Sequence, residues 1–221
     1  MTFPNAHNGV KKIFTAEILS LIAAVALIVA SIVSIIGAKA IGTAQTESAK
    51  AAAFGVAGGL AVFGIASSVL MVIAYILTLV GIISAMKDEA SFKTALIFAV
   101  IGLVAAGVAS VFSTGVTGSI MQIVSNFANL MVTLYVVQGI VNLAAKLNDG
   151  DMVARGNKAR WILTIAYCLP IIASLVASIL AINKAGAAAA VIGLITALLT
   201  LVAYFIYLAY LSAAKKMLAE K

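Results

Sequence analysis

The chain has 221 residues, 64% of them hydrophobic and 10% charged, with a mean hydropathy of +1.21. A water-soluble domain carries about 25% charged residues to solvate its surface, so this composition suits lipid as solvent and excludes an ordinary soluble globular protein. The net charge of +7 does not point to nucleic acid, because Lys and Arg stand at the ends of apolar runs rather than on one basic face with base-reading side chains.

Runs of about 18 or more apolar residues are long enough to cross a bilayer as helices. Six are legible, at roughly 15–37, 61–86, 94–113, 119–145, 161–182 and 188–213. Ala, Leu, Ile and Val dominate them without the strict alternation of a membrane barrel. Backbone groups in hydrocarbon must also pair within their own segment. The fold class is therefore all-α, a polytopic transmembrane helix bundle forming one integral membrane domain over residues 1–221.

The first span follows Lys11-Lys12, and Ala38-Lys39-Ala40 after it imitates a signal-peptidase site. Its apolar part exceeds the usual h-region of about 7–15 residues, so the segment is expected to stay as a span. Glu17, just after Thr15, is expected in the first helical turn, where a negative charge suits the dipole and Lys11 or Lys12 can pair with it. The second segment is apolar from Ala51 to Met86, about 54 Å as one helix. With Gly55, Gly58, Gly59 and Gly64 inside it, a break or bend near Gly58-Gly59 is expected.

The third span carries small residues every four positions, Gly102, Ala106 and Ser110. The first does so at Ala26, Ala30 and Ser34, and the fifth at Ala173, Ala177 and Ala181. Such spacing puts small side chains on one face, where helices in lipid approach closely. The charged turns also echo one another: Gly81-Ile82 precedes Lys87-Asp88-Glu89 as Gly139-Ile140 precedes Lys146 and Asp149. The pattern suggests three repeated αα-hairpins.

The fourth span is the most polar. Gln122, Ser125, Asn126, Asn129 and Thr133 form one stripe on its outer half, and Tyr135, Gln138 and Asn142 lie on roughly the opposite face of its inner half. Amides are costly in hydrocarbon unless paired, so each stripe must face protein or water. In the sixth span Thr196, Thr200, Tyr204 and Tyr207 share a face and form a candidate opposing wall of a polar cavity. Tyr210 and Trp161 suit an interfacial aromatic belt. Pro170 should kink the fifth span, and Cys168 reads as apolar filler.

The polar run from Lys146 to Arg160 holds two acids and four bases. It lacks the ligand spacing of a calcium loop and reads as a hairpin turn. Lys11, Lys12, Lys87, Lys93, Lys146, Arg155, Lys158, Arg160, Lys215, Lys216 and Lys221 fall on one side, against Lys39, Lys50 and Lys184 on the other. That asymmetry places both termini in the cytoplasm and the chain in the cell membrane.

Catalysis inside a membrane needs a nucleophile with a base, paired carboxylates, or clustered metal ligands. The single His7 lies in the N-terminal tail, and no Gly-rich stretch leads to the G-K-[ST] of a nucleotide loop. The expectation is a protein that is not an enzyme and needs no cofactor or metal. Its expected partners are the lipid bilayer and other membrane subunits or a second copy of itself. Two functions fit: a transport-related component, either a small-solute permease or a substrate-capture subunit without its own ATPase, or a non-catalytic membrane scaffold. The outline resembles that of six-span vitamin-capture subunits of bacterial importers, with no shared motif.

Overall fold

The computed structural model describes the backbone of residues 2–43, 47–112, 116–182 and 186–220. Side chains are described for 2–26, 29, 64–112, 117, 118, 120–169, 172 and 201–219. The described residues form six helices and no strand: α1 (Pro4–Thr43), α2 (Glu47–Ala85), α3 (Ser91–Val111), α4 (Val116–Lys146), α5 (Gly150–Ile182) and α6 (Gly186–Glu220). Among the described residues, four stretches are long and apolar enough to cross a membrane: Gly64–Ala85, Ser91–Val111, Ile120–Lys146 and Leu201–Ala219. Much of the expected spans at 15–37, 161–182 and 188–213 lies outside the described side chains. The chain divides into two compact units. One comprises residues 12–78, and the other joins the first eleven residues to 79–221.

Three expectations change. Residues 47–85 form one continuous helix through Gly55, Gly58, Gly59 and Gly64, with no break. Each glycine weakens a helix by about 1 kcal/mol, but an opened turn would strand backbone groups at several kcal/mol each in hydrocarbon. Helix formation therefore wins. Second, α1 starts at Pro4, so Glu17 sits well inside the helix and not in its first turn. Proline suits this first position, because its φ is preset and its missing N–H would have no helical partner there.

Third, the turn between α4 and α5 is only residues 147–149, and Gly150–Arg160 is the start of α5. A helix stop and a helix start coincide here. Asn148 adopts φ 54°. The Asp149 N–H donates to the Ala144 carbonyl at 2.9 Å and the Asn148 N–H to that of Ala145 at 3.1 Å, the bonding of a Schellman stop. The Asp149 carboxylate then accepts from the Met152 N–H at 3.1 Å and caps α5.

Within the larger unit, helices approach through glycine. A Cβ on Gly9 of α1 would lie 2.5 Å from the Gly81 carbonyl oxygen and 2.7 Å from the Ala85 Cβ on α2. Gly139 of α4 lies under the Phe92 ring of α3, which is fully buried. Gly156 of α5 leaves room for Val141 of α4 and the Tyr210 hydroxyl of α6. The buried face of α3 is Phe92, Ala95, Ala99, Gly102, Ala105 and Ala109.

Candidate functional site

Two polar regions lie on α4, one at each end. At the inner end, Gln138, Asn142 and Lys146 follow one another at four-residue steps and so share a face. The short α2–α3 connection sets Glu89 against them. Lys146 Nζ donates to Glu89 Oε2 at 2.5 Å. Asn142 Nδ2 donates to Glu89 Oε1 and to Ser91 Oγ, both at 3.0 Å. Ser91 Oγ donates to Glu89 Oε1 at 3.2 Å. Gln138 Nε2 donates to Asn142 Oδ1 at 2.6 Å, and Arg160 of α5 donates to Gln138 Oε1. Every bond runs toward the Glu89 carboxylate, so two cations and two amides polarise one acceptor in the same sense.

Burial alone would raise the Glu89 carboxyl, but the hydrogen bonds from Lys146, Asn142 and Ser91, with the Lys146 charge, outweigh it. They hold the group below its ordinary value of 4.5. The neighbouring acid does separate work. Asp88 accepts from the Ala6 N–H at 2.7 Å and from Asn5 Nδ2 at 3.0 Å. The residue before Pro4 is Phe3, which has no side-chain oxygen, so Asp88 caps α1 from a distant turn and meets the positive end of its dipole. Lys146 also lies 6.0 Å from the centre of the Phe3 ring. This end is a clasp joining the start of α1 to the α2–α3 connection, α3, α4 and α5.

The outer stripe is arranged differently. Ser125 is buried and donates to the Gly102 carbonyl of α3 at 3.2 Å. Gln122, Asn126 and Asn129 are exposed, and Thr133 is half-buried. Gln122 Nε2 donates to Asn126 Oδ1 at 3.3 Å, and Thr133 donates to the Asn129 carbonyl at 3.1 Å within the same helix. Around the amides Ile120, Val124 and Phe127 are exposed as well.

The remaining sequence candidates fall as follows. Tyr204 is half-buried and Tyr207 is 2% exposed, while the side chains of Thr196 and Thr200 lie outside the described residues. Gly102 is buried beside Ala128, Ala106 and Ser110 are exposed, and Ala26 is half-buried. Ala30, Ser34, Ala173, Ala177 and Ala181 lie outside the described side chains. Tyr135 stacks on Phe98 with ring centres 5.7 Å apart, apart from the hydrogen-bonded chain. Trp161 is 73% exposed, whereas Tyr210 is buried, with Gly156 accommodating its tip.

Sequence reading missed Glu89 as the hub and Asp88 as a cap. The four-residue steps of Gln138, Asn142 and Lys146 were the available signal for the first; no local signal exists for the second. No family model matches this chain, nor does any curated protein or solved structure.

Proposed function

We propose that this is a six-span, non-catalytic integral membrane protein of the cell membrane, with both termini cytoplasmic, that assembles with other membrane helices. The observation that carries the reading is the outer stripe of α4. Gln122, Asn126 and Asn129 share one internal side-chain bond and stand exposed among exposed apolar residues. In hydrocarbon an unpaired amide is costly, and a neighbouring helix bearing donors and acceptors removes that cost. The clasp supports the same role, since it holds a carboxylate charged and commits its groups to one another.

A transport-related role is the second reading, as a small-solute permease or a capture subunit energised by a separate ATPase. The same amides favour it, because a neutral or zwitterionic solute is an alternative partner for them. Asn126→Leu with Asn129→Leu separates the two. The assembly reading expects the double variant to lose its partners on copurification in mild detergent. Retained partners with lost solute uptake would transfer the case to transport.

A further inference from the structure

A groove lies between the start of α5 and the end of α6, with a volume of about 380 Å³. It runs from Arg155 and Ala213 at one end to Ile162 and Ile206 at the other, about 10 Å along the helices. The first end is cationic: Arg155 and Lys158 are exposed and make no ion pair among the described residues. Asp151, one turn earlier on α5, does not neutralise Arg155 either. Lys146 and Arg160, by contrast, are engaged in the clasp. The rest of the lining is apolar, except for Tyr210.

Tyr210 adds its ring to the groove's wall. The side chain is 5% exposed, and its hydroxyl is buried against Gly156, beside Val141 of α4 and away from the groove, with no hydrogen-bond partner among the described residues. Exposed Trp161, nearly two turns beyond Arg155 on α5, suits the depth of a headgroup region.

We propose that this groove binds one anionic phospholipid. Arg155 and Lys158 hold the phosphate, and an acyl chain lies along Ile162, Ile206 and the Tyr210 ring. Basic pockets between helices at the membrane surface recognise such headgroups. A zwitterionic lipid cancels the charge that the two cations seek, and a free phosphate leaves the apolar half unfilled. The proposal rests on the chain being membrane-embedded, though not on what it assembles with.

The test uses the full chain in detergent, with native mass spectrometry of bound lipid after titration with phosphatidylglycerol or phosphatidylcholine. Phosphatidylglycerol should bind one to one and in preference. Arg155→Gln with Lys158→Gln should weaken it about 30-fold, taking roughly fivefold per cation near a membrane surface. Tyr210→Phe, which keeps the ring and removes only the hydroxyl buried at Gly156, should leave binding unchanged. Lys215→Gln with Lys216→Gln removes the same charge from α6 outside the groove and should leave binding unchanged. Equal binding of the two lipids overturns the proposal, as does equal loss in the Lys215/Lys216 control or displacement by inorganic phosphate. Failure to recover the chain in the carbonate-washed membrane fraction overturns both this site and the membrane reading; recovery without lipid selectivity overturns this site alone.

Discussion

The two ends of α4 use the same chemistry to opposite effect. Gln138 and Asn142 at the inner end sit between Arg160 and the Glu89 carboxylate, each donating and accepting in one direction. Gln122, Asn126 and Asn129 at the outer end have amides of the same kind and no charged anchor, and share one 3.3 Å bond. A carboxamide in a membrane does not choose its own role. An ion at the end of the chain turns amides into a conduit for that ion's field, whereas amides without one remain a surface awaiting a partner.

Removing the hub breaks the contrast most strongly. Glu89→Ala leaves Lys146 and Ser91 without their acceptor and Asn142 with one of its two, and a loss of about 3 kcal/mol is expected, the upper end for removing a charged acceptor from its donors. Lys146→Met should cost under about 1 kcal/mol, because that side chain is 46% exposed and its charge is largely hydrated already. Thermal unfolding in detergent ranks the two. Equal losses would mean that the ion pair, and not the convergence of donors on Glu89, holds the clasp.

Within the clasp, Asn142→Leu removes the link between Gln138 and Glu89 and strands the Gln138 amide, with an expected loss of about 2 kcal/mol. Acid should act on the same group. A carboxyl held below 4.5 when folded contributes stability that is complete above that ordinary value and lost as pH falls below it, through the folded value. Unfolding temperature should therefore fall on acidification below about pH 4.5, and Glu89→Gln should flatten that step. An unchanged acid slope in Glu89→Gln would assign the transition to other carboxylates.

What was legible in the sequence divides along the same lines. Composition alone gives helices suited to lipid, because a low charge content and unbroken apolar runs state the solvent directly. Helix limits outside the apolar runs are not legible in that way. Gly150–Arg160 looks like a loop by polarity, yet Met152, Gly156 and Ala159 form one buried face of a helix whose other sides are polar. The stop lies at Asn148, whose left-handed backbone permits the Schellman bonds. The glycines at 58 and 59 mislead in the opposite direction, since hydrocarbon enforces backbone pairing that water would relax. The Asp88 cap joins residues 82 apart, and no periodicity encodes such a pairing. The four-residue steps on α4 reveal both amide faces, but only the fold shows which of them meets a carboxylate.

The smallest expected effect is the sharpest test of the outer stripe. Asn126 is exposed and, among the described residues, bonds only Gln122 of its own helix, so Asn126→Leu should change the unfolding stability of the isolated chain in detergent by no more than about 0.5 kcal/mol. Detergent and water around the stripe already serve its amides, so their removal takes nothing from the solitary molecule. In a bilayer the same change erases the donor and acceptor that a neighbouring helix would meet, and the loss should appear as dissociation of the assembly. A large loss of stability in detergent would instead show that the stripe is bound inside its own fold, as Asn142 is. The inner and outer amides would then differ only in depth, and the surface inferred for a partner would be gone.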